Sequence, residues 1–327
     1  MMNTKTLLGR CKQIFDRKSE VFIIFAFWLI LMVVSSMLSN RFLTFYNLYS
    51  MLRGSIPLML LSFGQCIVMT GTVGVDLSVG GMVSLVNCFL AIYCTQANGW
   101  VIPIIVSILI GVAAGLINGI LSTKGRLQPL IVTLAMNIIL GGAAVLVYPD
   151  ASTQVAKYMN KDFFEFIAYG FNGWFPLVFI VLITVVFWLF LNRTKTGRAC
   201  VAIGGNAYSA ECSNINVTKI NIICFVISAV LAVLAGIYTT AQTMGGNSNI
   251  GTPLVTLSIT AAAIGGTSMS GGKGSVVGCV IATYVLYIIN NILNMTGVNS
   301  YYQYLIQGIL LVLALALAAF KGRKPTD

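Results

Sequence analysis

The sequence contains no histidine, and only eight of its 327 residues are acidic. Without histidine, His-containing zinc sites and Ser-His or Cys-His nucleophilic centres lose their usual ligand or base. Charge of either sign is scarce, at 8% of residues, against about 25% in an ordinary soluble domain. Cysteine is present but unpaired in pattern. Cys66, Cys88, Cys94, Cys224 and Cys279 lie inside apolar runs, so they read as small packing residues and indicate neither a disulfide framework nor a metal site. No linker or low-complexity tract divides the chain.

What the sequence has instead is apolar length. Residues are 58% hydrophobic, with a mean hydropathy of +0.92, and uncharged runs cover 21–40, 54–75, 77–123, 127–149, 166–192, 220–272 and 274–320. One helix needs about 20 apolar residues to cross the hydrocarbon, so the three longest runs each hold two helices. The expectation is an all-α polytopic membrane protein of about ten spans. It comprises a basic amino-terminal segment at 1–20, one membrane domain at 21–320 and a short tail at 321–327. The first apolar run lacks a small-x-small cleavage pattern and reads as an uncleaved anchor.

The formal charge of +11 raises nucleic acid as a partner, but in a membrane protein lysine and arginine first report orientation. With the amino terminus placed in the cytoplasm and sides alternated over ten spans, only Arg41, Arg53, Lys157 and Lys161 of the 19 basic residues fall outside. Both termini are therefore expected in the cytoplasm, the bilayer is the surrounding partner, and no nucleic acid is expected.

Asp76, in "MTGTVGVDLSVGG" (69–81), is isolated between two long uncharged runs. An unpaired charge at the centre of a bilayer costs about 3 kcal/mol even on lenient insertion scales. Asp76 and Ser78 are both good N-cap types for the apolar helix that follows, and the span count puts them near the cytoplasmic face. A structural cap, a solute ligand, or a cap on a broken helix lining a cavity all remain open. Asn118, Thr133, Asn137, Asn290 and Asn291 add amides and hydroxyls within spans, with Gln65 and Asn87 beside them. Such groups either bridge helices or line a path, and they suit a neutral hydroxylated solute better than an ion.

"SMSGGKGS" (268–275) has the look of a phosphate loop but fails its spacing, since Thr267 and Gly274 stand where a glycine and a Ser or Thr are needed. It reads as a cytoplasmic turn in which Gly265, Gly266, Gly271, Gly272 and Gly274 supply unusual backbone angles. Residues 149–171 read as an external short helix or lid. The cytoplasmic segment 192–219 carries Gly204 and Gly205, then Asn206 as an N-cap, then "AYSAEC" as two helical turns. That helix is either merely interfacial or a docking element for a soluble partner. Finally, "INGILSTKG" (117–125) echoes "INNILNMTG" (289–297), with opposite expected exits, as in an inverted repeat.

These stretches together resemble a known family. "GVDLSVGG" (74–81), "NGILSTKGRLQPLIVTL" (118–134), "TGRACVAIGGNAYSAECSNINVTKI" (196–220), "IGGTSMSGGKGSVVG" (264–278) and "NNILNMTGVNSYYQ" (290–303) occur in order. The chain is similar over about 42–320 to the membrane-spanning permease subunits of bacterial ABC importers for ribose, xylose, galactose and related monosaccharides. The resemblance implies a non-enzymatic permease in the cytoplasmic membrane of a bacterium. It works with an ABC ATPase that holds the ATP and magnesium, an extracytoplasmic sugar-binding protein, and a second permease copy or a paralogue. It assigns ATPase coupling to Gly204, Gly205, Asn206, Ala210, Glu211, Ser213, Ile215 and Val217, and no cofactor to this chain. The chain departs from the family pattern at Thr72 and Val73, which look inserted. It departs also at Gly141, where an arginine is common, at Val255 and Leu257, where acids are common, and at Asn214, where glycine is common. The joint loss of both charge signs favours a heterodimer with a more typical paralogue. The rival from another class is a stand-alone ion-coupled secondary transporter with Asp76 as its ion site. A membrane enzyme lacks every usual catalytic constellation.

Overall fold

The structure is a computed structural model that describes residues 24–148, 154–155, 159–299, 302–303, 305–309 and 312. The basic amino-terminal segment, the carboxy-terminal tail, Tyr301 and Tyr304 lie outside the described residues. Within them the chain is helical: α1 (Ile24–Leu38), α2 (Phe45–Thr72), α3 (Val79–Tyr93), α4 (Val101–Thr123), α5 (Pro129–Val147), α6 (Lys161–Tyr169), α7 (Trp174–Arg193), α8 (Lys195–Gly205), α9 (Ala207–Cys212), α10 (Val217–Thr243), α11 (Thr252–Ile264) and α12 (Val276–Met295). Further helical residues follow at 302–303 and 305–309. The sole pairing of strands among the described residues is two residues long, β1 (Gln154–Val155) against β2 (Gly245–Gly246), antiparallel.

Six helices, α2, α4, α5, α7, α10 and α12, are long and apolar enough to cross a membrane, while α1, α3 and α11 are apolar but shorter. Each of the three longest uncharged runs is divided into two helical segments. In the last run, the described residues after Asn299 are 302–303, 305–309 and 312, all helical.

α2 is apolar all round and buried all round, as such a helix must be in a bundle: every residue from Ser55 to Gly71 is buried. The most apolar 18-residue window of α2 is 83% buried against 22% for α7, so α2 is central and α7 faces outward. α10 packs on α2, α3 and α4. Its approach to α4 rests on Gly111, Gly115 and Gly119, a small residue every fourth position on one helix face. An added Cβ would sit 2.5 Å from Val233 at the first, and 2.7 Å from the Cα of Val226 and Ile222 at the other two.

α3 and α11 have 15 and 13 residues, or about 22 and 20 Å at 1.5 Å per residue, short of the ~30 Å hydrocarbon layer. Both follow a long helix that ends in a left-handed residue, Val73 (φ 54°) after α2 and Met244 (φ 51°) after α10. After Val73 the chain turns back into the bundle, so Asp76 lies level with Gln65 of α2. That is about 10 Å inside the end of this 28-residue helix. After β2 the chain descends along α3. Gly246 lies against Ala91, the Asn247 N–H donates to Asn87, the Gly251 N–H donates to Ser84, and Gly251 meets Gly80. The two short helices thus start side by side and run in opposite directions.

The same order recurs at a nearly constant offset, 172 to 175 residues between the starts of α2 and α10, α3 and α11, and α4 and α12. α2 and α10 begin 172 residues apart, and so do Asn118 near the end of α4 and Asn290 near the end of α12. The short echo in the sequence is therefore one corner of a long–short–long helical unit used twice, with α2 and α10 entering from opposite ends.

The backbone contact between the two short helices leaves no room for a side chain. A Cβ on Gly251 would collide with the Gly80 carbonyl, whereas Gly142 has open space around its missing Cβ. Gly251→Ala should lower stability by about 1–3 kcal/mol through overpacking, and Gly142→Ala should leave it unchanged. Thermal aggregation of the two variants, followed by size exclusion in detergent, checks this; equal midpoints would mean that the contact is loose.

Candidate functional site

The connection between α2 and α3 is irregular backbone inside an apolar bundle, a setting in which each unsatisfied peptide group costs several kcal/mol. Gln65 answers for one residue in both directions: its amide donates to the Asp76 carbonyl (2.7 Å) and accepts from the Asp76 N–H (3.1 Å). The Val75 carbonyl accepts from Thr133 of α5 at 3.3 Å. Asn137, also of α5, accepts from the Gly81 N–H at 2.7 Å and so caps the first turn of α3 from another helix.

Asp76 is completely buried. One carboxylate oxygen accepts from the Ser78 N–H (3.0 Å) and the Ser78 hydroxyl (2.6 Å), and the other accepts from Ser228 of α10 (2.8 Å). Three donors and the positive end of α3 together offset the cost of burying this group. Ser78 takes the N-cap position of α3 without a side-chain cap bond, contrary to the expected role. Its hydroxyl is committed to Asp76 and accepts from Asn118 of α4 at 3.0 Å. The Asn118 carbonyl oxygen is buried with no partner.

Five sequence candidates, Asp76, Ser78, Asn118, Thr133 and Asn137, therefore meet at one junction. Asn290 and Asn291 do not. Asn291 exchanges hydrogen bonds with Asn47 of α2 (2.9 and 3.2 Å), and Asn290 accepts from Gln307 (3.0 Å), which ties helices together at another level. Gln65, named in the sequence only as one more polar group within a span, is central to the junction, and Ser228, which carries no signal in an apolar helix, is the member the sequence did not offer. Asn87 does for the second connection what Gln65 does for the first. It donates to the Gly245 carbonyl (2.9 Å) and Thr240 (3.1 Å) and accepts from the Asn247 N–H (2.8 Å).

The second group of candidates forms a surface beyond the junction, at the carboxy-terminal end of α2. Asn206 accepts from the Ser209 N–H at 2.9 Å and so caps α9. The helix ends at Ser213, Asn214 turns left-handed (φ 61°), and Asn216 caps α10 by accepting from Lys219 at 2.8 Å. Ala210 is buried beneath α9, Ile215 and Val217 are half-buried, and Asn206, Glu211, Ser213 and the neighbouring Tyr208 are exposed. The two glycines before α9 differ sharply. Gly204 packs on the Thr70 carbonyl and the Gly272 N–H, with no space for a Cβ, whereas nothing lies within 4 Å of a Cβ on Gly205. The Gly272 N–H in turn donates to the Thr70 carbonyl at 3.0 Å. Among the turn glycines, Gly266, Gly271 and Gly272 have positive φ. Gly265 and Gly274 do not, contrary to expectation; they are kept small by close contacts with Cys279 and Thr70.

No group of three or more metal-ligating side chains occurs among the described residues. Residues 47–315 match the family described as branched-chain amino acid transport system / permease component. The chain is 31% identical to the ribose import permease protein of Escherichia coli K12, over 96% of this chain and 98% of that protein. It is 34% identical to the ribose import permease protein of Bacillus subtilis 168, over 88% and 89% respectively. It is 33% identical to the D-allose transport system permease protein of E. coli K12, over 88% of each. No solved structure matches.

The junction makes a clear forecast for Asp76. In Asp76→Asn the amide oxygen keeps both Ser78 donors and the amide nitrogen donates to a rotated Ser228, so folding should survive with a small loss. In Asp76→Leu three donors lose their acceptor, at about 1–3 kcal/mol each, and monodisperse protein should be lost. Yield and thermal midpoint in detergent decide it; a Leu variant as stable as wild type would show that these bonds contribute nothing.

Proposed function

This chain belongs to the family of branched-chain amino acid transport system / permease components, and from that premise we propose that it is the permease of an ABC importer for a monosaccharide of pentose or hexose type. The observation that carries the sugar class is the match, along nearly the whole of both chains, to permeases named for ribose and D-allose import. Family membership favours this reading over an ion-coupled secondary transporter. The chain is a multi-pass membrane protein and a transporter component, with no catalytic family indicated. The proposed location is the inner membrane of a bacterium, with both termini in the cytoplasm. ATP and magnesium are assigned to a partner ATPase, and solute delivery to an extracytoplasmic sugar-binding protein. The solute pathway is assigned to the interface with a second permease, identical or paralogous.

Within this reading, α9 is the coupling helix, and its exposed residues Tyr208, Glu211 and Ser213 meet the ATPase. The force has a short route. α8 is fixed to the end of α2 through Gly204 and Thr70 and to the glycine-rich turn through Gly272. α2 carries Gln65, which holds the backbone of Asp76 at the start of α3. Movement of α9 is thereby delivered to the point where α3 and α11 meet, and a rearrangement there alternates access between the two sides. Asp76, Ser78, Asn118, Thr133 and Asn137 act as positioning residues of this pivot.

Co-purification with the ATPase encoded beside this gene tests the assignment. Glu211→Lys combined with Tyr208→Ala, both on the exposed face, should weaken association at least tenfold while the permease stays folded. Gly204→Ala should abolish import and Gly205→Ala should spare it. Undiminished association of the double variant would place the docking surface elsewhere.

A further inference from the structure

At the end of α2 remote from Gly204, a cavity of about 570 Å³ is walled by Phe45, Tyr49, Tyr169, Gly173, Trp174 and Leu177. Its mouth is open and aromatic, since Phe45 is 83% and Trp174 65% exposed. Tyr46, Tyr169 and Phe171 are exposed beside it. Aromatic rings gathered at the ends of apolar helices mark the headgroup level of a bilayer, so this cavity faces lipid.

Behind the aromatic wall lies Arg53, the one charge in α2. Its guanidinium stacks 3.8 Å from the centre of the Tyr169 ring and 5.6 Å from that of Tyr49, two residues that line the cavity. Its Nε is buried without a hydrogen-bond partner, as is the Tyr238 hydroxyl next to it. The groups that face the guanidinium most closely are phenols. The lip of the cavity is conformationally loaded: Phe171, Asn172 and Gly173 are consecutive left-handed residues (φ 53°, 53° and 89°), tied down by the Tyr49 hydroxyl, which donates to the Gly173 carbonyl at 2.7 Å. Non-glycine residues in that region are held there by their surroundings and concentrate at ligand clamps.

An apolar groove with a guanidinium directly behind its aromatic wall, faced by phenols, is complementary at headgroup depth to one kind of membrane component. We propose that this cavity binds an anionic phospholipid, its phosphate on the Arg53 guanidinium and an acyl chain laid across Phe45, Trp174 and Leu177. The site lies at the opposite end of α2 from the coupling surface, and it goes beyond the transport reading.

Native mass spectrometry of the purified full-length chain, exchanged into mixed micelles with phosphatidylglycerol or phosphatidylcholine, tests this. Wild type should retain phosphatidylglycerol at least fivefold over phosphatidylcholine. Arg53→Met should abolish the preference, Arg53→Lys should keep most of it, and Trp174→Ala should lower retention of both lipids. The exposed Trp174 and the charge-conserving lysine variant keep the test readable if the methionine variant fails to fold. Equal retention by wild type and Arg53→Met would overturn the site. Displacement of the lipid by millimolar inorganic phosphate would also overturn it, by showing a free-anion site instead.

Discussion

Irregular backbone cannot be left unsatisfied inside a membrane-spanning bundle, and among the described residues two such connections, after α2 and after α10, enter the bundle. Each is repaired by one amide side chain that bonds backbone in both senses: Gln65 for Asp76, and Asn87 for Gly245 and Asn247. With those two clamps in place α3 and α11 can be short, start at the same depth and touch at Gly80 and Gly251. Without them, each connection would expose peptide groups to hydrocarbon, and full-length helices would be the better solution.

From that constraint the rest of the bundle follows. The two long helices that flank the breaks, α2 and α10, must be central because they hold the clamped connections, and both are packed by small residues. Gly111, Gly115 and Gly119 bring α4 onto α10, and Gly64 on α2 lies against Ser228 of α10. That last contact puts the Ser228 hydroxyl within 2.8 Å of the Asp76 carboxylate. The charge that looks unaffordable in the sequence is thus held by the same close packing that defines the core. The near-constant offset of 172 to 175 residues between corresponding helix starts explains why one geometry serves twice in opposite senses.

The six long apolar helices, the turn at 268–275 and the capped two-turn helix after Asn206 are legible because each depends on local chemistry: apolar length, glycine, and an Asn that reaches three residues on. Helix length is not legible. A run of apolar residues reads the same whatever length of helix it forms, so α3 and α11 counted as full spans although they have 15 and 13 residues. Nor can a sequence separate Gly204 from Gly205, which differ only in what lies above them. Asn290 and Asn291 looked equivalent to Asn118, and one offset relates Asn118 and Asn290. Yet Asn118 faces Ser78 of the same half of the bundle while Asn290 meets Gln307, because partners are chosen by tertiary contacts that the repeat does not conserve.

These contacts also limit how solute can move. The junction is packed backbone to backbone around a carboxylate that accepts three hydrogen bonds, and Asp76, Ser78, Asn118 and Thr133 are all buried. Opening a path through it would strip donors from Asp76 and backbone partners from its neighbours at once, a cost of several such bonds at about 1–3 kcal/mol each. Moving the two halves as one body keeps those bonds, which run between the halves at Asp76–Ser228, Asn87–Gly245 and Ser84–Gly251, and shifts only the outer helix surfaces. The cheaper motion therefore leaves the junction intact, and under the transport reading proposed above the solute route lies along the outer helix surfaces of the chain instead of through its core.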